Sequence, residues 1–287
     1  MLTEAIEDAF VPLAIHNNKP GPDKVILEQY NEPAWNNPVV RFFAPGGQEL
    51  LSRKDHVWEA APLAARMIDA LAAKGDSVPG YLRIAHEELS AGPVEQIVFS
   101  MACFWKGEAL YGGLSGVAQT RAGWLDGREV VEVLYNPEQL SLTALLQAGL
   151  ADSCANKVWV SDAGQLATAK GIMTSDIAVV LGGADDITKD AKVSDRKFYL
   201  GRSPARWLPL TPLQATRINA QLESAAGQSL ADALGDLLSP KQVAWLARIE
   251  SKLGQQPSAF DGLQRPDTVG ALSDYENDLE LRLSAAP

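Results

Sequence analysis

Two hydrophobic periods divide this chain. In "WEAAPLAARMIDALAAKG", residues 58–75, the apolar residues Leu63, Met67, Ile68 and Leu71 recur at spacings of three and four, the period of a helix with one buried face. Upstream, the pattern predicts a short amphipathic helix in "MLTEAIEDAF", a strand "FVPLAIH", a helix around "PDKVILEQY" and two strands, "NPVVRFF" and "QELLSR". Gly46-Gly47 between those strands signals a hairpin. "DSVPGYLRIAHEELSAGPVE" reads as a linker helix, with Pro79 suiting its first turn and Gly92-Pro93 ending it. There follow a buried strand "QIVFSMA", a helix "FWKGEALYGGL", strands "VAQTRAGWL" and "EVVEVLYNP", a helix "SLTALLQAGLADS", a strand "KVWV" and a helix "DAGQLATAKGI". A β-α-β-β-α-β order of this kind predicts an α+β fold, a ferredoxin-like two-layer sandwich. From Lys189 onward the pattern turns helical, with Thr211-Pro212 and Ser239-Pro240 as helix starts, and the acidic tail "DYENDLELRLSAAP" is expected to fray. The expected organisation is therefore a region over 1–92, an α+β domain over 93–188 and a helical region over 189–287.

Composition narrows the function classes. The chain has 287 residues, 46% hydrophobic and 21% charged, which is ordinary for a folded protein and long enough for more than one domain. Its net charge of -11 argues against nucleic acid, whose affinity comes largely from Lys and Arg neutralising phosphates. No run approaches the roughly 18 apolar residues of a membrane span, and the acidic start is unlike a signal peptide. Read as it stands, the chain is expected in the cytoplasm, or in the periplasm if an upstream signal has been removed. Two cysteines make no disulfide framework, and His16, His56 and His86 are scattered, so no metal-ligand spacing is present and no cofactor is expected.

Candidate chemistry centres on Cys103, in "SMACFWKGEALYGGLSGV". A strand running directly into a helix presents the junction at the helix N-terminus, where unpaired N–H groups and the macrodipole favour negative charge. A thiol there gives up its proton more easily and becomes nucleophilic, and Lys106 adds a nearby positive charge. Phe104 and Trp105 offer an apolar wall suited to a methyl group or a sulfur atom. The plainer reading of such a cysteine is a small inert core residue.

The letters around it resemble a known motif. "ACFWKGEAL" is similar to the "GCFWG.E" motif of the A-type peptide methionine sulfoxide reductases, with Cys103, Phe104, Trp105 and Glu108 in matching places. "LSGVAQTRAGWLDGREVVEVLYNPEQLS" continues the resemblance, with Gly116, Val117, Gly123, Glu129, Tyr135 and Pro137 in register, over roughly residues 96–172. The resemblance implies a (S)-S-oxide reductase-like enzyme with Cys103 as nucleophile and Glu129 as proton donor. Phe104, Trp105, Trp124 and Glu108 would line the site, and an external thiol such as thioredoxin would serve as reductant. Attack would leave a sulfenic acid on Cys103. Glu108, one turn below, otherwise reads as a solvated or helix-supporting charge.

The pattern also departs from the family. The loop between Trp124 and Arg128 is short, a sulfoxide-holding tyrosine has no counterpart, and Asp126-Gly127-Arg128 replaces the segment with a histidine before the acid. Cys154 falls where the family has a tyrosine, which suggests it as a resolving thiol. The order of elements in residues 1–75, with Pro38 opening a strand, resembles the C-terminal part of a thioredoxin fold without its redox cysteines, so residues upstream are expected to be missing. That region reads as scaffold, with peptide binding along the Pro38 loop as the alternative. The whole arrangement resembles a bacterial group of thioredoxin-like proteins and selenoproteins. A degenerate module that senses oxidant or binds peptides is the competing expectation.

Overall fold

The computed structural model describes residues 1–32, 38–90, 92–151, 155–182, 189–225, 227–266 and 268–285. The chain divides into two compact units, residues 1–90 and 91–287. The first contains α1 (Leu2–Ala9), α2 (Pro22–Gln29), β1 (Val39–Val40), β2 (Lys54–Asp55), α3 (Ala60–Lys74) and α4 (Gly80–Leu89). Residues 10–16 form no strand: Pro12 has no N–H for a ladder, and Val11 and Leu13 face solvent. The two expected strands shrink to a two-residue antiparallel pair and a bridge between Phe43 and Glu49, around a turn in which Gly47 takes φ +81°. Residues 33–37, which precede Pro38, lie outside the described residues.

Helix packing dominates this unit. α3 buries Met67 and Leu71 against Tyr81 and Leu82 of α4, with Ala5 and Phe42 completing the cluster. α4 is thus a core helix of the first unit and not a linker, because Tyr81, Leu82, Ile84 and Ala85 fall on one buried stripe.

In the second unit the elements run β3 (Glu95–Ser100), α5 (Phe104–Gly112), β4 (Val117–Leu125), β5 (Arg128–Tyr135), α6 (Leu142–Ala151), β6 (Lys157–Val160), α7 (Ala163–Ile172), β7 (Ala178–Leu181) and β8 (Lys189–Asp190). The strands form one sheet in the order β7-β6-β3-β5-β4-β8. All neighbours are antiparallel except β6 and β7, which makes the sheet mixed and the unit α+β. Strand alternation sorts the side chains. Ile97, Phe99, Val131, Val133 and Tyr135 join Tyr111 of α5 and Leu145 and Leu146 of α6 in the main core, while Val98, Val130 and Trp159 form a smaller cluster with Leu125.

α5 lies directly on β5. A Cβ at Gly107 would stand 2.8 Å from both Val131 Cγ2 and Met101 Cγ, so no larger residue fits without displacement. The chain continues with α8 (Phe198–Gly201), α9 (Pro212–Ser224), α10 (Leu230–Leu234), α11 (Pro240–Gln255) and α12 (Leu272–Ser284). The caps are those the sequence marks: Thr211 accepts from the Gln214 N–H, and Ser239 with Gln242 forms a capping box. The buried amides of Gln214 and Gln242 exchange two hydrogen bonds and tie α9 to α11. The acidic tail does not fray over these residues. Leu272, Tyr275 and Leu279 make a buried stripe, and Glu280 binds Arg248 at 2.8 Å.

Gly107→Ala tests how closely α5 approaches the sheet. Alanine improves helix propensity by about 1 kcal/mol, but overpacking against a strand side chain costs about 1–3 kcal/mol. Urea unfolding is expected to show a net loss of stability; a gain would mean that α5 shifts freely.

Candidate active site

Cys103 is the N-cap of α5, in extended backbone (φ -149°, ψ 118°), and its side chain is half-buried and makes no capping bond. The junction leading into it is fixed by the first residues of β5. Met101 N–H donates to the Glu129 carbonyl at 2.9 Å, and Phe104 N–H donates to Glu129 Oε2, also at 2.9 Å. The Glu129 carboxyl therefore accepts the first amide of the helix, one peptide unit from Cys103. A carboxyl oxygen in this place satisfies an orphan helix donor. It comes from the strand register: Glu129 pairs with Trp124 across β4 and shares a strand face with Val131, against which α5 packs.

The aromatic residues divide their roles. Phe104 is buried and stands edge-on to Trp124, with ring centroids 5.9 Å apart at 88°, and to Trp105 at 6.2 Å. Trp124 and Trp105 remain half-exposed on either side of Phe104, the residue after Cys103. One face of Trp105 is covered by Phe198, stacked with centroids 3.6 Å apart and 20° between planes, and the Arg202 guanidinium lies 3.4 Å from the Phe198 ring centre. The Trp105 indole N–H is buried without a hydrogen-bond partner among the described residues. Lys106 points outward.

Glu108 is not the solvated charge expected from sequence. Its residue is 1% exposed, and its carboxylate takes Lys197 Nζ at 2.7 Å on one oxygen and the Lys197 backbone N–H at 2.7 Å on the other. Lys197 Nζ also donates to the Thr120 carbonyl and hydroxyl. To make both contacts Lys197 adopts a left-handed backbone (φ 45°, ψ 54°), a conformation that costs a non-glycine residue about 1–2 kcal/mol. The turn sets Phe198 on Trp105 and starts α8, whose Tyr199 and Leu200 N–H groups both donate to the buried Asn219 Oδ1 of α9.

Tyr199 belongs to this site and was not found by sequence reasoning. Its ring stands edge-on to Phe198 at 5.4 Å. Burial first, then the Glu223 carboxylate and the Cys103 sulfur, push its phenol above the ordinary tyrosine value, so it keeps its proton. Nothing in the local pattern marks it, since it lies 96 positions beyond Cys103 in the chain. At the far end of α5, Arg217 of α9 donates to the Gly112 carbonyl at 2.7 Å. Cys154 lies outside the described residues. Among the described residues no group of three His, Cys, Asp or Glu side chains could hold a metal ion, and no helix is long and apolar enough to cross a membrane.

No family model matches the chain. Curated relatives do. It is 37% identical to "Peptide methionine sulfoxide reductase MsrA" of Vibrio cholerae, over 19% of this chain and 34% of that protein. It is 32% identical to "Peptide methionine sulfoxide reductase" of Drosophila melanogaster, over 23% of this chain and 35% of the relative, and 33% identical to an MsrA of Methanococcus maripaludis, over 18% and 45%. The chain thus spans about a third to under half the length of these relatives. The likeness supports a methionine sulfoxide reductase-like module over a short stretch.

The Glu108–Lys197 pair yields a test of its own. Lys197→Met leaves a buried carboxylate short of its cation and is expected to cost about 3 kcal/mol in urea unfolding, at the lower end for breaking such a pair because the backbone N–H remains. Adding Glu108→Leu should restore part of the loss; if the double variant is less stable than the single, the pair is not the source.

Proposed function

We propose that this chain reduces sulfoxides of the methionine type by thiol chemistry, with Cys103 as nucleophile and Glu129 as proton donor. The observation that carries the reading is the Phe104 N–H to Glu129 Oε2 bond, which holds a carboxyl one peptide unit from an accessible thiol at a helix N-terminus. Attack on a sulfoxide sulfur requires its oxygen to gain a proton as negative charge collects there, and a positioned acid meets that need. The carboxyl, steadied through Oε2, presents its other oxygen to the substrate. Trp124 and Trp105 supply apolar surface for the methyl group beside the sulfur.

The step balances as Cys103–SH plus R₂S=O giving Cys103–SOH plus R₂S. The substrate sulfur gains two electrons and the cysteine sulfur loses two, with the oxygen passing to Cys103. A second thiol then forms a disulfide and releases water, and an external dithiol of the thioredoxin type restores both cysteines. Cys154 is the proposed second thiol.

Single turnover of a methionine sulfoxide peptide without reductant is expected to give one sulfide per wild-type chain and none for Cys103→Ser. Glu129→Gln should react about 10²–10⁴-fold more slowly, the usual worth of a positioned acid. Equal inactivity of wild type and Cys103→Ser, with a Cys103 sulfenic acid still forming in peroxide, would replace this reading with oxidant sensing. Mass spectrometry of the oxidised chain is expected to show a Cys103–Cys154 bond; its absence at every oxidant dose removes Cys154 from the cycle.

A further inference from the structure

We infer that Tyr199, carried by the helical part of the chain, donates a hydrogen bond from its hydroxyl to the substrate oxygen that gains negative charge as Cys103 attacks. The inference rests on the proposed thiol chemistry and adds a residue from outside residues 96–172, over which the sequence resembles the reductase motifs.

Three independent contacts hold the segment that carries the tyrosine next to Trp105. The buried Glu108 carboxylate grips Lys197 by its backbone N–H and its ammonium, fixing where the segment crosses α5. Phe198 lies flat on Trp105, two residues beyond Cys103, and the Tyr199 ring stands edge-on against Phe198. Asn219, fully buried on α9, holds the Tyr199 N–H at 3.1 Å, so the backbone that carries the ring is anchored from behind. The phenol also senses the charge of the Cys103 sulfur, which raises its proton affinity together with burial and Glu223. A neutral phenol carried beside Phe198, which itself lies on Trp105 next to the nucleophilic sulfur, is a donor within the neighbourhood where an oxyanion forms. Such a preorganised donor lowers the barrier because it needs no reorientation during the reaction. The strained backbone of Lys197 is consistent with a segment held in place for function, since left-handed non-glycine residues persist only where their surroundings enforce them.

Glu129 and Tyr199 then act from different sides of the sequence on the same oxygen, one delivering the proton and the other stabilising charge. No new reactant is required, and the balance of the sulfoxide step is unchanged.

The test compares wild type with Tyr199→Phe, which keeps the ring and its contact with Phe198. At saturating methionine sulfoxide the single-turnover rate is expected to fall about 10²-fold, the usual loss for one oxyanion donor. Alkylation of Cys103 by iodoacetamide, which builds no charge on such an oxygen, should keep its rate, and so should the unfolding midpoint. An unchanged sulfoxide rate, or an equal loss of alkylation, overturns the inference. Should wild type form no sulfide at all, the proposed function fails and the tyrosine is read on hydrogen peroxide instead. There Cys103–SH and H₂O₂ give Cys103–SOH and water. Slower dimedone trapping of the sulfenic acid in Tyr199→Phe then supports the donor role, and an unchanged rate ends it.

Discussion

The site rests on one residue accepting two backbone amides. Glu129 takes the Met101 N–H through its carbonyl and the Phe104 N–H through its carboxylate, so the chain between β3 and α5 is fastened on both sides of Cys103. A junction of this kind would otherwise leave N–H groups unsatisfied as it leaves the sheet, and each such group costs about 1–3 kcal/mol when buried. In the proposed reaction structural need and chemical use would coincide in the same carboxyl: the thiol stands at a helix start capped from the neighbouring strand, and Glu129 does the capping.

A second constraint comes from charge. Glu108 stands almost fully buried on α5, and burial of a carboxylate is tolerable only with a cation and further donors around it. Lys197 and Thr120 provide them, which draws the segment before α8 across the helix that begins at Cys103. The sheet with α5 and the helices that follow it are therefore parts of one compact unit, joined through a polar contact in its interior.

Much of this was legible in the chain and some of it was not. The elements from β3 to α7 stand out because their periods are strong and their ends carry turn residues, and β4 and β6 match their expected limits. Cys103 and Glu129 could be named because their motif fixes them within a short stretch. β7 escaped because it is four residues long and largely exposed, and β8 because "KD" carries no apolar signal. A count of charges hid the stripe of Leu272, Tyr275 and Leu279 in the acidic tail. Glu108 was misjudged since its partner lies 89 positions away, and a comparably long separation conceals Tyr199. Contacts between distant segments leave no local period to read.

The carbonyl end of α5 carries one more consequence. Arg217 of α9 caps Gly112, so the helix that begins at the thiol is gripped at its start by the sheet and at its finish by the helical region. Each of the two parts therefore supplies one of the contacts that hold this helix. A substitution at Arg217 thus acts on the helix that begins at the thiol, through the last carbonyl of that helix.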